Sequence, residues 1–394
     1  MKTEPRVFYF CAINSPGYEK KLKQRLHVGA ASNKVLSVVS ALRSVGCRAY
    51  AVSLPVLGRA SNSRAVRGDV IRERGAPVVY LSVAADPVLR RLLGAMGFAG
   101  FCRRFIKKTD RVLIYNFMPE YLPALLLLRL KGNSAVLDLE DGPLNKCSSW
   151  REIGNLMTYK LVRFLCRRGG VTVSLQVAQN HGLQPACVVY GAVRQMNIPM
   201  SRPSPDESSF RILYGGSLCE DTGLNLFCDA VRLIRERMDY RDGALVFVVT
   251  GFGGEGLIER LRAQIDDERV SVERKTNLSM EQYQQELASC DAALCLKLPG
   301  SGMGDTTFPS KVVEITAAGR LLISTRASDI PLLFDDRNAL LLDEATPEAL
   351  CSAILWALDH PEECAIRARR GRERAMELFS EVAVGQRIQD FIFR

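Results

Sequence analysis

The chain has 394 residues, 47% hydrophobic and 24% charged, which is enough for two cores of ordinary globular type. No apolar run approaches the ~18 residues that span a bilayer. Three histidines, and twelve cysteines without a CxxC spacing, give no ground to expect a metal cage. Charge is unequally shared: residues 1–200 hold 30 Lys and Arg against 11 Asp and Glu, a net of +19, and the remaining residues hold 23 against 32, a net of −9. One half is built to meet something anionic, and the other is not. The cysteines lie mostly in apolar segments (Cys11, Cys228, Cys290, Cys295), as suits a reducing compartment. The N-terminal stretch shows no small-residue cleavage signature, so no signal peptide is expected and the chain reads as cytoplasmic.

In chain order, "RVFYFCAI" (6–13) predicts a buried strand and "NKVLSVVSALRSVG" (33–46) a helix opened by Asn33 and closed by Gly46. Further short strands follow: "RAYAVSLP" (48–55), "APVVYLSV" (76–83), "DRVLIYNF" (110–117), "SAVLDLE" (134–140), "GVTVSLQ" (170–176) and "ACVVYG" (186–191). Runs apolar on both faces, separated by helical stretches, indicate a parallel sheet covered on both sides. Residues 199–209, rich in proline and serine, read as a linker. The alternation restarts with "FRILYGG" (210–216), "ALVFVVTG" (244–251), "VSVER", "DAALCLK" and "LLIST", with helices between them and a helical region from about Pro347. The expected class is therefore α/β: two Rossmann-like, doubly wound domains, residues 1–198 and 210–375, facing a central cleft. A single large α/β enzyme is the alternative.

Several segments could carry chemistry. "FPSKVVEITAAGR" (308–320) predicts a helix with Lys311 in its first turn and Glu314 one turn on, after a loop "LPGSGMGDTTFPS" holding three glycines. Helix N-termini bind phosphate through free N–H groups, and a carboxylate can receive a ribose diol. Lys311 opposes the helix dipole unless an anion sits at the tip. "TGFGGEGL" (250–257) spaces Gly251, Gly253 and Gly256 as GxGxxG; it reads as a tight strand-to-helix turn or as a dinucleotide site. "LYGGSLCEDTG" (213–223) is another glycine turn open to close ligand approach. "LDLEDGPL" (137–144) puts Asp138, Glu140 and Asp141 at a strand's carboxyl end, as polar contacts to a substrate or as metal ligands with a diphosphate.

Residues 86–108 interleave Arg90, Arg91, Arg103, Arg104, Lys107 and Lys108 with Leu, Met and Phe, and "EKKLKQR" (19–25) adds to the basic half. This pattern suits an anionic membrane face or a solvated basic surface. Nucleic acid is not expected as a partner, since no helix-turn-helix, zinc finger or aromatic-basic RNA signature occurs.

Over residues 210–360 these segments resemble the glycosyltransferase family 4 enzymes, which are retaining, nucleotide-sugar-dependent and of the GT-B fold. "ILYGGSLCEDTGLNLFCDAV" looks like the family's first strand, glycine turn and helix. "VFVVTGFGGEGLIERL" is similar to its second unit, "SMEQYQQELASCDAALCLK" to the segment before the donor loop, and "FPSKVVEITAAGRLLIST" to its donor-binding helix. The resemblance implies a donor-binding set of Gly215, Gly216, Ser217, Gly251, Arg274, Lys297, Gly302, Met303, Gly304, Asp305, Thr306, Lys311 and Glu314. Glu314 would bind the ribose hydroxyls, and Lys311, the 302–304 amides and Lys297 would bind the phosphates. "LDLEDG" stands in the place of a His-Asp pair that reaches the donor sugar, which makes Glu140 and Asp141 the candidate catalytic residues. A C-terminal helix, 376–394, would cross back onto the first domain. The chain departs from the family where Thr306, with Asp305 beside it, replaces the first of two glutamates, and where Ser217 and Thr222 stand near the usual Arg and Lys.

The expected activity is transfer of a sugar from a nucleotide-sugar to a lipid-linked or glycan acceptor, with no metal or other cofactor. The enzyme would be peripheral on the inner face of the cell membrane. A catalytically weak sugar-nucleotide-binding partner subunit is the alternative; an NAD-dependent oxidoreductase and a metal-dependent transferase are the others.

Overall fold

Apolar runs flanked by helices form two large sheets in the computed structural model of the protein, which describes residues 5–22, 29–57, 65–73, 75–140, 142–143, 149–167, 169–193, 209–238, 243–265, 268–301 and 307–394. Contacts divide the chain into one unit of Met1–Arg194 with Phe379–Arg394 and another of Gln195–Leu378.

The first unit contains β1 Arg6–Cys11, β2 Arg48–Ser53, β3 Ala65–Val66, β4 Asp69–Glu73, β5 Ala76–Tyr80, β6 Val83–Ala84, β7 Arg111–Tyr115, β8 Ala135–Leu139, β9 Gly170–Thr172 and β10 Ala186–Val188. Among the described residues its main sheet runs β10-β9-β8-β7-β1-β2-β5-β4. The pairings are parallel except for the edge strand β4, which folds back on β5. The helices between these strands are α1 Pro16–Leu22, α2 Gly29–Ser44, α3 Pro87–Phe105, α4 Leu122–Leu130, α5 Trp150–Leu165 and α6 Leu175–Asn180.

Strand alternation sends Val7 and Tyr9 of β1 to one face and Phe8 and Phe10 to the other. The first face packs on Val35, Val39 and Leu42 of α2. The second packs on Phe98 of α3, Leu125 and Leu128 of α4, and Tyr159 and Val162 of α5.

Three local readings differ from the sequence expectation. Residues 76–83 are not one strand: β5 stops at Tyr80, and Val83–Ala84 pairs antiparallel with Ala65–Val66. Residues 170–176 split because the Ser174 hydroxyl accepts from the Val177 N–H and starts α6. Asn33 lies inside α2, whereas Gly46, at φ +83°, follows its end as expected.

The second unit contains β11 Ser209–Ser217, β12 Ala244–Phe252, β13 Val270–Lys275, β14 Ala292–Cys295, β15 Leu321–Ser324 and β16 Leu340–Leu341. Its helices are α7 Leu224–Arg237, α8 Glu255–Ile265, α9 Met280–Ala288, α10 Ser310–Ala317, α11 Ile330–Leu333, α12 Pro347–Asp359 and α13 Pro361–Phe379. The sheet order is β13-β12-β11-β14-β15-β16, and the pairings are parallel. The chain therefore builds outward from β11 in one direction and then from β14 in the other. A topological switch point lies between these two strands, and ligands of such sheets bind at its carboxyl end.

The last helix, α14 Glu381–Phe393, belongs to the first unit. Val384, Ile388 and Ile392 are buried beside α2, and a Cβ at Gly385 would collide with the Ala41 carbonyl. The small residue lets the two helices close on each other. Of the expected 199–209 linker, only Ser209 lies within the described residues, where it opens β11.

Candidate active site

The carboxyl edge of the six-stranded sheet is shaped by glycines that side chains could not replace. At the end of β11, a Cβ on Gly215 would overlap the Thr250 hydroxyl, and Gly216 holds φ +118°. Gly251, at φ +104°, closes on the Gly216 carbonyl, and Gly253, at φ +88°, closes on the Leu218 carbonyl. Gly251 and Gly253 thus fit β12 against the turn after β11, whereas Gly256, the third glycine of the GxGxxG spacing, lies in α8 with open space beside it. Thr222 locks that turn, its hydroxyl donating to the Ser217 carbonyl at 2.6 Å and accepting from the Cys219 N–H at 3.1 Å. Ser217 contributes backbone here, and Thr222 takes a structural role where the family commonly has a basic residue.

Across the switch point lies α10. Val312, Val313, Ile315 and Thr316 bury its inner face, which leaves Lys311 and Glu314 half-buried on the other. Lys311 Nζ donates to Tyr283 Oη of α9 at 2.8 Å and lies 3.1 Å from Glu314 Oε2. Its stem passes over β11: Lys311 Cε lies 3.5 Å from where a Gly216 Cβ would stand. Burial works to lower the ammonium's pKa, but Glu314 and Tyr283 outweigh it and hold the value above the usual 10.5. Burial pushes the Tyr283 phenol up to about 12, although Lys311 opposes the shift. The group at physiological pH is an ammonium held between a carboxylate and a neutral phenol.

Arg274, at the end of β13, has a side chain only 6% exposed. Its Nη2 donates to the Gly251 carbonyl at 3.1 Å, while Nη1 is buried without a hydrogen-bond partner. An unsatisfied guanidinium arm is costly to bury and is a ready donor. Lys297 follows β14 and is buried; its Nζ donates to the carbonyl and hydroxyl of Thr307 at 2.9 and 2.7 Å. It braces the return of the glycine loop. Gly302, Met303, Gly304, Asp305 and Thr306 lie outside the described residues.

In the first unit, Glu140 follows β8. Its carboxylate accepts from the Tyr115 hydroxyl, its N–H donates to Asn116 Oδ1 at 2.8 Å, and Lys34 Nζ stands 3.8 Å away. The same ammonium donates to Asp138 Oδ1 at 2.8 Å, and Tyr9 Oη donates to Oδ2 at 2.5 Å. Asp138 is fully buried; burial and then the Asp138 charge push the Tyr9 phenol far above its ordinary pKa. Here Asp138 and Glu140 both face the Lys34 ammonium. Among the described residues, no three His, Cys, Asp or Glu cluster in a way that could hold an ion. Asp141 lies outside the described residues.

Within the second unit, the structure thus gathers Gly215, Gly216, Ser217, Gly251, Arg274, Lys311 and Glu314 along one edge. Sequence reading missed Tyr283, which is one tyrosine in a polar helix with no motif around it. It also missed Lys34, Tyr9 and Tyr115, which meet Asp138 and Glu140 from distant segments.

Residues 209–360 match the family model described as "Glycosyl transferases group 1". Most of the second unit is thus similar to a glycosyltransferase group 1 domain. No curated protein matches the chain. Among solved structures, a glycosyltransferase from Rickettsia africae ESF-5 is similar at TM-score 0.66 and 13% identity, covering 99% of this chain and 98% of that one. Anabaena Alr3699/HepE in complex with UDP gives TM-score 0.65 at 15% identity, over 98% and 99% of the two chains. A UDP-forming α,α-trehalose-phosphate synthase from Burkholderia xenovorans gives 0.61 at 11%, over 98% and 99%. These likenesses show the fold: two Rossmann-like units of GT-B type. The second unit carries its candidate site at the switch point of its sheet.

Proposed function

We propose that the protein is a retaining glycosyltransferase of family 4 type. It would move a sugar from a nucleoside-diphosphate donor to a lipid-linked or glycan acceptor at the inner face of a membrane. The observation that carries this reading is the Lys311–Glu314–Tyr283 group standing over Gly216 at the switch point. The neighbours solved with UDP or UDP-glucose support a nucleotide-sugar donor. The +19 first half supports an anionic acceptor surface.

In this reading the sugar–phosphate bond breaks with its electrons going to the nucleoside diphosphate, and charge grows on the phosphates. Lys311 and the N–H groups at the start of α10 stabilise that charge. Glu314 exchanges its contact with Lys311 for the ribose hydroxyls. The Gly216 backbone, bare of a Cβ, admits the diphosphate closely. Glu140 and Asp141 are the candidates to act on the sugar. The acceptor hydroxyl gives its proton to the departing diphosphate oxygen as the new bond forms on the same face, and no metal enters the scheme.

A thermal-shift panel of UDP, GDP, dTDP and their sugars, with NAD as control and chelator present, tests the donor class. Stabilisation by one nucleoside diphosphate, unaffected by chelator, is expected. Stabilisation by NAD alone overturns the reading. Thr222's structural role supports a second one, a sugar-nucleotide-binding partner subunit: a nucleotide shift without transfer of labelled sugar to any extracted lipid or glycan acceptor would favour it.

A further inference from the structure

In the first unit, α3, α4 and α5 lie on one face of the sheet, with α4 packed against both of the others. Their inner faces fill the core, but their outer faces are also apolar. On α5 the exposed residues Trp150, Ile153, Met157, Leu161 and Phe164 recur at helical spacing along one stripe. They lie away from Tyr159 and Val162, which the core buries. Trp150 is 89% exposed. On α3, Val88, Leu89, Leu92 and Met96 are exposed in the same way, and on α4 Leu126 and Leu130. The outer surfaces of α4 and α5 are continuous, since the Arg129 guanidinium lies 5.1 Å from the Phe164 ring centroid. Exposed apolar area of this extent on a folded domain marks an interaction surface.

Charge decides the kind of partner. The three helices together contain eight Arg and Lys and a single carboxylate, Glu152. Glu152 is committed to the Ser149 N–H in the capping box of α5. Arg91, Arg103, Arg104, Arg129, Arg151 and Lys160 are exposed around the apolar residues. Apolar stripes bordered by cations, with a tryptophan at one helix end, fit the boundary between anionic headgroups and acyl chains. A protein partner would have to supply an acidic rim around an equally broad apolar centre.

We infer that α5, with α3 and α4 beside it, is a membrane-inserting face that seats its apolar stripe in an anionic lipid leaflet. The inference rests on the proposed membrane-surface acceptor, and it replaces simple electrostatic adsorption with partial burial of the α5 stripe. Binding by this face has two components: the cations respond to salt, and the stripe does not.

Vesicles of anionic phosphatidylglycerol and of neutral phosphatidylcholine, titrated with the full chain while following tryptophan fluorescence and co-sedimentation, test it. Expected are preference for anionic vesicles, a blue shift that Trp150→Phe removes, and a residual affinity in high salt. Met157→Glu with Leu161→Glu, both exposed, should lower vesicle affinity at least tenfold with an unchanged melting temperature and nucleotide response. Salt-reversible binding with no Trp150 shift and no effect of the double variant overturns the insertion but leaves the membrane-surface reading standing. Absence of vesicle binding overturns both. Concentration-dependent self-association lost in the double variant overturns the inference in favour of a second copy of the chain on this face. The nucleotide panel reports separately on the donor reading.

Discussion

Both units place an ammonium beside carboxylate and phenol groups near the carboxyl edge of a parallel sheet, yet the two clusters are built for different work. In the first unit Lys34, with a side chain 12% exposed, binds fully buried Asp138, and tyrosines 9 and 115 complete the network. In the second unit Lys311 and Glu314 are 27% and 38% exposed, and each meets the other or Tyr283. The first arrangement holds strand ends together, because a charge sealed from water cannot exchange partners without a large penalty. The second can exchange its partners for a ligand more readily, because Lys311 and Glu314 both keep an exposed side.

The largest test of that difference is Lys34→Met. It leaves Asp138 buried and uncompensated, so about 3–5 kcal/mol of stability should go in urea unfolding of the first unit. A loss under ~1 kcal/mol would place the Lys34 cluster in the solvent-screened class instead. Lys311→Ala should fold normally and reduce turnover about a hundredfold, as removal of a donor to developing charge does. Glu314→Ala should cost about tenfold in donor affinity, roughly 1.4 kcal/mol, measured by calorimetry with the nucleoside diphosphate. Unchanged affinity and turnover would remove the ribose assignment.

The smallest effect is in pH. Because the Lys311 pKa is held above its ordinary 10.5, the stabilisation by Glu314 and Tyr283 is fully present below that value. It is lost as pH rises through the higher folded value. The second unit's melting temperature should be flat from pH 7 to 9 in this respect, and Lys311→Met should abolish only the alkaline component of its decline.

Legibility differed between the two clusters for the same reason. The 308–320 segment announced itself because its helix spacing, its N-terminal proline and the preceding glycine loop are local, and local geometry follows from local sequence. Lys34 could not be read in this way, since it lies 104 residues from Asp138 in the chain. Tyr283 is 28 residues from Lys311 and reaches it only because α9 and α10 converge at the sheet edge. The Ser174 cap was missed for a smaller reason: one capping residue outweighed the propensity of a longer apolar run.

The α5 stripe shows the limit from the other side. Trp150, Ile153, Met157, Leu161 and Phe164 are as apolar as core residues and share the helical period, so periodicity alone assigns them to the interior. Only the packing of α5 through Tyr159 and Val162 shows that the stripe faces outward.

By itself the sequence determined the class of fold, the restart near residue 210, the uneven charge and the glycine-framed helix of the candidate site. These are properties of composition, period and short-range sterics, which a chain carries wherever it folds. Tertiary structure alone decided which face of α5 meets solvent, that Asp138 is an anchor, that Thr222 locks a turn, and that Lys311 lies over Gly216. Each of these is a contact between segments distant in sequence, fixed by which helix packs on which strand.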